Sequence, residues 1–316
     1  MFVVGGESLI DLVSEPRGPD GVIHMHAHQG GSPYNCAIAL AKLGNPSGFL
    51  CPISKDGFGS YLLEPLAEAG VKTLLCDRVT APTTLAVVTL NEKRQAAYEF
   101  YRGADRAFST EGMVSALPDG LDLYQIGGFC PIVPEDAVVW AEVVRAAIAR
   151  GATISIDPNV RPSLVDDFAG YKQRLSTFLD LAHVIKMSEE DLFALEPDLS
   201  IEAHSAALLN RPNCELVVVT LGERGSLAFS ASGRAKADIW SPPVFGDTVG
   251  AGDSLMAGVL SFLFEAGALK PGRLQALEAD ELARMLRFGA VVAGINCGRV
   301  GCKPPTRAEV DAVLAG

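Results

Sequence analysis

Short apolar runs alternate with helix-period stretches along most of the chain. Phe2–Val4, Gly48–Cys51, Leu123–Ile126, Thr153–Ile156, Val184–Lys186 and Leu216–Thr220 read as buried strands. Between them, Pro33–Leu43, Gly59–Ala69, Pro134–Arg150, Tyr171–Ala182 and Ile201–Leu209 read as helices. Gly44, Gly70 and Gly151 stand directly after helical runs, as stop signals should. This alternation predicts an α/β fold, with a mostly parallel sheet and helices on both faces. No internal repeat or low-complexity linker interrupts it. Two segments break the rhythm. Leu12–His28 is polar and turn-rich around Gly18-Pro19-Asp20-Gly21, and Thr83–Tyr101 holds Leu85–Leu90, a turn at Asn91-Glu92-Lys93, and Ala96–Tyr101. Both read as hairpins that assemble a small sheet over one edge of the main domain. As a lid, such a sheet would exclude water from a reaction. Otherwise the hairpins are surface decoration, and exposed apolar positions on them would suit a dimer contact.

At 316 residues, the chain accommodates one large α/β domain with an excursion, or two modest domains. A hydrophobic content of 48% favours a sizeable core, and a formal charge of −12 argues against nucleic acid as a partner. No run of about 18 apolar residues predicts a membrane span. Met1-Phe2-Val3-Val4-Gly5-Gly6 reads as an immediate strand rather than a signal peptide. The seven cysteines include no C-x-x-C pair, so reduced thiols in the cytoplasm are expected.

The stretch richest in chemistry is Asp247-Thr248-Val249-Gly250-Ala251-Gly252-Asp253. It sets a Gly-Ala-Gly turn before the apolar segment Leu255 to Phe264, which reads as a helix. Small residues let the backbone approach a ligand, and the first amides of a helix have no partner and lie at its positive end. Together they make an anion site suited to phosphate. Asp253 adds a carboxylate beside it, the arrangement a phosphoryl transferase needs.

Other constellations add to this. Gly30-Gly31-Ser32-Pro33-Tyr34-Asn35 opens a helix, with Ser32 as candidate N-cap and Pro33 fitting the first helical position. Asn35 offers both a donor and an acceptor for a sugar hydroxyl. Asp11 follows the first strand and is expected at its C-terminal end, where open α/β sheets bind ligands. No G-x-G-x-x-G is present, which weakens a dehydrogenase reading. Arg102, with nearby aromatics, is a candidate fork for a sugar or an acidic group. Asp157-Pro158-Asn159-Val160-Arg161 follows another strand, and there a ligand contact competes with a simple Asp157–Arg161 salt bridge. His24, His26 and His28 share one strand face. Alternation alone produces that geometry, so packing or contact with substrate hydroxyls is expected before metal binding.

The heptapeptide ending in Asp253 resembles the second signature of the PfkB (ribokinase-like) carbohydrate kinase family. Gly30-Gly31 followed by Asn35 is similar to the first. Tyr101-Arg102-Gly103-Ala104-Asp105 looks like the fructokinase branch, although related 2-keto-3-deoxygluconate kinases also carry a Tyr-Arg there, and the D-x-N-x-R run ending at Arg161 resembles both. The resemblance covers Gly5 to Pro305. It implies one ribokinase-like three-layer α/β/α domain over 1–316, with lid hairpins at about 12–28 and 83–102. The implied reaction passes phosphate from ATP to a sugar hydroxyl. Asp253 would take the proton, and the amides of Gly250, Ala251 and Gly252 would hold the developing charge. Asp11, Gly30, Gly31, Asn35, Arg102 and Arg161 would hold the sugar. Lys186, Ser188, Thr220, Gly222, Gly225 and Ala290 would face the nucleotide. Ser188 and Asp191 replace the Asn and Glu of the family's N-x-x-E element, so Mg2+ falls to Asp191 or Glu190. Asp247 and Val249 mark the stretch where relatives often bind K+. Fructose is the first choice of acceptor, 2-keto-3-deoxygluconate the second and a nucleoside the third. A homodimer through the lid is also implied. The reading from another class is a catalytically silent sugar-binding or scaffold protein. Loss of the base would be its mark, and Asp253 is present.

Overall fold

The computed structural model describes residues 1–15, 21–90 and 96–316. The predicted turn at Asn91-Glu92-Lys93 lies outside them, as does most of the one at Gly18-Pro19-Asp20-Gly21. The described strands are β1 Phe2–Gly5, β2 Leu9–Ser14, β3 Met25–Gly30, β4 Ser47–Leu50, β5 Lys72–Thr73, β6 Leu85–Leu90, β7 Ala96–Tyr101, β8 Leu123–Gly127, β9 Thr153–Asp157, β10 Val184–Ser188, β11 Leu216–Thr220, β12 Ser226–Ser230 and β13 Arg234–Ala237. The helices are α1 Ser32–Lys42, α2 Gly57–Glu68, α3 Thr110–Ser115, α4 Pro134–Ala149, α5 Phe168–Leu181, α6 Glu189–Leu195, α7 Ile201–Leu209, α8 Ala251–Glu265, α9 Ala279–Cys297 and α10 Arg307–Ala315.

The main sheet runs β13-β12-β11-β10-β9-β8-β1-β4-β5. From β11 to β5 its neighbours pair in parallel, and β12 and β13 add an antiparallel edge. Side chains alternate across it. Phe2 and Val4 join one core with α1, α2, α8, α9 and α10, while Val3 joins the other with α3 to α7. Helices α8 and α9 approach closely at Gly258 and Gly289, where an added Cβ on Gly258 would come within 2.9 Å of the Gly289 Cα.

The chain leaves β1 in one direction, to β4 and β5, and from β8 onward builds in the other. The C-terminal ends of β1 and β8 therefore flank a topological switch point, where α/β sheets bind ligands.

The second sheet runs β3-β2-β6-β7. Its two hairpins are antiparallel, and β2 joins them by pairing in parallel with β6. The first hairpin begins at Leu9, earlier than the polar pattern indicated, because Leu9 and Ile10 are buried and pair with Gly30 and Gln29. This corrects the placement of Asp11. It does not end a core strand but sits inside β2, opposite His28. The chain leaves the main sheet at Gly5, and Gly6, at φ +142, turns it toward the small sheet.

The strands β5, β12 and β13 and the helices α3 and α10 carry no clear pattern in the sequence, and of α6 only the acidic start after Ser188 is legible. Strand β13 is four residues with no buried position, and α6 spans seven residues, too few for a helical period to stand out.

Candidate active site

A cavity of about 650 Å³ opens at the switch point, bounded by the ends of β1, β9 and β10, by the small sheet and by the start of α8. Its lining carries four carboxylates, Glu7, Asp11, Asp157 and Asp253, and two cations, Arg161 and Lys186.

Helix α8 enters it through Gly250, whose φ of 71° lies in the left-handed region. Glycine carries no penalty there. Ala251 donates its amide back to the Thr248 carbonyl at 3.1 Å, closing the turn. The amides of Gly250, Gly252 and Asp253 have no protein acceptor among the described residues. The expected trio of Gly250, Ala251 and Gly252 is thus revised. Ala251 builds the turn, and its neighbours leave free N–H groups at the positive end of the helix.

Asp253 is clamped from α1. Ser32 Oγ donates to its Oδ1 at 2.6 Å, and Asn35 Nδ2 donates to its Oδ2 at 2.9 Å. Ser32 is therefore not the N-cap expected from sequence. That position is Gly31, at φ 111°, which makes no side-chain cap. A Cβ on Gly31 would come within 2.6 Å of the Glu7 carbonyl, so glycine lets α1 start against the end of β1. Ser32, one residue on, is thereby aimed at Asp253. Burial raises the Asp253 pKa from its ordinary value, while the bonds from Ser32 and Asn35 and the charges of Lys186 and Arg161 restrain the rise. A carboxylate whose pKa is raised is a stronger general base.

Lys186 Nζ donates to Asp157 Oδ2 at 2.6 Å, and both side chains are buried. Burial lifts Asp157 to about 6 against the pull of Lys186. For Lys186, burial opposes the charge, but Asp157, Asp191 and Asp253 outweigh it and the pKa is raised. Both partners are ionised at neutral pH. The Asp157–Arg161 pair weighed from sequence does not form. Arg161 lines the cavity and, among the described residues, donates only to the Val160 carbonyl, at 3.0 Å. Asn159 also lines it, at φ 47, a left-handed conformation that asparagine tolerates better than most residues.

Residues 1–309 match the profile of the pfkB family carbohydrate kinases. The chain belongs to that family. It is 30% identical to a probable fructokinase-4 of Arabidopsis thaliana over 100% of this chain and 97% of the relative. It is 31% identical to a fructokinase of Rhizobium leguminosarum bv. trifolii over 89% and 85% of the two chains. The structure of a fructokinase with bound ATP from Xylella fastidiosa superposes with a TM-score of 0.87 at 28% identity, covering 99% of this chain and 98% of its own. A ribokinase from Giardia lamblia, at 24% identity and a TM-score of 0.81, covers 99% and 98% and shares the fold. The architecture is thus ribokinase-like, with a second small sheet.

In this pfkB kinase, Asp11, Gly31, Asn35, Arg161, Lys186, Val249, Gly250, Ala251, Gly252 and Asp253 all line the cavity. Burial raises Asp11 to about 6, against the charge of His28. Gly30 lies behind it, and any Cβ there would overlap the Asp11 carboxylate. Arg102 does not line the cavity. It forks onto Asp105 Oδ2 from Nε at 2.8 Å and Nη2 at 2.6 Å, approaches Asp136 at 3.3 Å, and lies over the Phe129 ring at 5.1 Å.

Ser188, Thr220, Gly222, Gly225 and Ala290 lie outside the cavity lining. Ser188 and Thr220 sit side by side at the ends of β10 and β11, and Ala290 is buried on α9. Ser188 caps α6 in a capping box with Asp191. Asp191 Oδ2 accepts from the Ser188 amide and hydroxyl, and its Oδ1 accepts from the Val160 amide at 2.7 Å. Both oxygens expected at Mg2+ are therefore engaged, while Glu190 stays exposed. Asp247 accepts the Val249 and Gly301 amides at 2.9 and 2.7 Å. His26 and His28 stack at 6.3 Å on β3, and His26 meets Glu15 at 2.5 Å. His24 precedes that strand. Among the described residues, no three His, Cys, Asp or Glu side chains gather as a metal site.

Sequence reasoning missed Glu7. It is buried against the cavity, accepts the Phe129 amide at 2.9 Å, and is lifted by burial to about 8 despite that bond. Its only local signal is a carboxylate directly after Gly5-Gly6.

Proposed function

We propose that the protein is an ATP-dependent fructokinase. The observation that carries this reading is Asp253, held at both oxygens by Ser32 and Asn35 beside the unpartnered amides of Gly250 and Gly252. A sugar hydroxyl seated against Asp253 would lose its proton to that carboxylate as the phosphoryl group arrives. The two amides would stabilise the charge on the transferred group. Glu7, Asp11 and Arg161 line the remaining wall and would orient the sugar hydroxyls. The small sheet β3-β2-β6-β7 carries Asp11 into the cavity and would act as the water-excluding lid.

Magnesium would arrive with the nucleotide and neutralise phosphate charge. Asp157 suits its hydration shell, since Oδ1 is buried without a hydrogen-bond partner in a residue that lines the cavity. Asp191 suits it less, being buried outside the cavity lining. Potassium near Asp247 and Val249 is a separate expectation, checked by comparing rates in KCl and NaCl.

Fructose is preferred over 2-keto-3-deoxygluconate on charge. With Glu7 lifted to about 8 and so protonated at neutral pH, three further carboxylates, Asp11, Asp157 and Asp253, face two cations in the cavity, and Arg102, the candidate fork for a sugar acid, is neutralised by Asp105. A neutral polyol suits that wall better than another carboxylate. A coupled ADP-release assay over fructose, 2-keto-3-deoxygluconate and a nucleoside panel tests this. Turnover on fructose is expected. Turnover on the acid alone would overturn the acceptor, and saturable sugar binding without turnover would favour the silent scaffold.

The exposed Ile23, Met25 and Tyr101 on or beside the small sheet support a homodimer through that face, which sedimentation velocity tests. All seven cysteines are outside disulfides, which supports a cytoplasmic location. No described helix is long and apolar enough to cross a membrane.

A further inference from the structure

Asn296 sits near the end of α9, fully buried, and neither the sequence pattern nor the reading above gives it a role. Its Nδ2 donates to the Val249 carbonyl at 2.7 Å, and its Oδ1 accepts the Lys303 amide at 2.8 Å. Only this orientation of the carboxamide satisfies both neighbours, because one is a carbonyl and the other an N–H. The side chain therefore ties the loop before α8 to the loop after α9. Further bonds run between the same two segments. The Gly246 amide donates to the Cys297 carbonyl at 2.8 Å, and the Gly301 amide donates to Asp247 Oδ2 at 2.7 Å.

What Asn296 adds is direction. The peptide joining Val249 to Gly250 is trans and planar, so its C=O and N–H point to opposite sides. Holding the Val249 carbonyl toward α9 turns the Gly250 amide the other way. That amide has no protein acceptor among the described residues, and Gly250 lines the cavity. Without Asn296, a peptide next to a left-handed glycine could rotate as a unit.

We propose that Asn296 is a positioning residue that aims the Gly250 amide at the phosphoryl group in transfer. The proposal rests on the kinase reading of the site. Asn296 touches no reactant and acts through the orientation of one peptide plane.

The test is Asn296→Leu, which removes both bonds at similar volume, beside Asn296→Asp, which keeps the acceptor for Lys303 and removes the amide donor to Val249. Steady-state kinetics with fructose and ATP are run on both and on the wild type, together with thermal melts with and without fructose. Turnover should fall about tenfold to a hundredfold, the scale set by one oxyanion donor. The fructose KM should stay within about twofold, and fructose should still raise the melting temperature, since the sugar wall is untouched. Should Asn296→Leu fail to fold, Asn296→Asp is judged by the same criteria. Wild-type rates in a folded variant, or equal losses of turnover and sugar affinity, would overturn the positioning role. A wild-type protein without turnover on any sugar would instead overturn the kinase reading.

Discussion

Asn35 donates from Nδ2 to Asp253 Oδ2 at 2.9 Å across 218 residues of sequence. One helix start thereby holds the base that another helix start presents to the anion site. Each Asp253 oxygen accepts one protein bond and keeps a second lone pair for a substrate proton. Asp253→Asn removes the base and leaves the cavity shape. Turnover should fall at least about a hundredfold, while fructose binding by calorimetry stays near the wild-type value. A near-normal rate would remove Asp253 from proton transfer.

Ser32 bears on the same carboxylate from the other side. Its hydrogen bond favours the charged form, against the desolvation that raises the pKa. In Ser32→Ala that restraint is lost and the Asp253 pKa rises further. The acid limb of the kcat–pH profile, below which the base is protonated, should move to higher pH. An unmoved limb, with only a uniform loss of rate, would mean that Ser32 serves packing alone.

The main fold was legible because buried strands and helices with end signals announce themselves locally. Asp253 was legible for the same reason, since its neighbours Gly250 and Gly252 stand beside it in one string. Ser32 was misassigned because a residue type that caps helices also makes long-range hydrogen bonds, and nothing local tells the two apart. Asp11 was misplaced because strand pairing is not local, so a single apolar run could not reveal that β2 belongs to the small sheet. Glu7 was missed because its burial comes from β1, β8 and the Phe129 loop meeting in space. Arg102 looked like a sugar ligand because its spacing from Asp105 does not distinguish two side chains paired with each other from two that reach for a substrate, and the second carboxylate, Asp136, comes from α4.

Glu7 should make stability depend on pH. Its folded pKa is raised to about 8, while the unfolded chain titrates near the ordinary glutamate value of 4.5. Between those values the folded protein keeps a proton that the unfolded chain has lost, so stability falls as pH rises from about 5 to 8. The stabilising contribution is fully present below that window. Glu7→Gln mimics the neutral form and should flatten this slope in urea unfolding series. An unchanged slope in the variant would assign the pH dependence elsewhere.

Arg102 and Asp105 make a buried ion pair at 2.6 Å, with side-chain exposures of 14% and 1%. Thr84 Oγ1 also donates to Asp105, and Arg102 stacks on Phe129. Asp105→Ala leaves the guanidinium only Asp136, which Arg106 shares, and removes the acceptor of Thr84 Oγ1, so it should cost about 3 kcal/mol of unfolding free energy. Arg102→Met combined with Asp105→Ala should recover part of that loss. The Arg102→Met fructose KM should change little, because the side chain does not line the cavity. A rise of about tenfold in KM with stability intact would return Arg102 to the sugar wall.

Gly250 carries two constraints that can be separated. Its left-handed φ disfavours any Cβ by about 1–2 kcal/mol. A Cβ there would also overlap Cys302 Sγ, whereas the Cys302 Cα would lie at 3.5 Å. Gly250→Ala should therefore move the turn and lower turnover at least about tenfold, on the scale of a lost oxyanion donor. Cys302→Gly alone removes no group from the cavity lining and should leave the rate within about threefold, since residues away from the reacting atoms act only through packing. In the double variant the overlap disappears but the backbone strain stays, so the rate should recover in part. Full recovery would show that the left-handed turn is not required. No recovery would show that strain alone sets the loss, and a Gly250→Ala protein at wild-type rate would remove this turn from phosphoryl transfer.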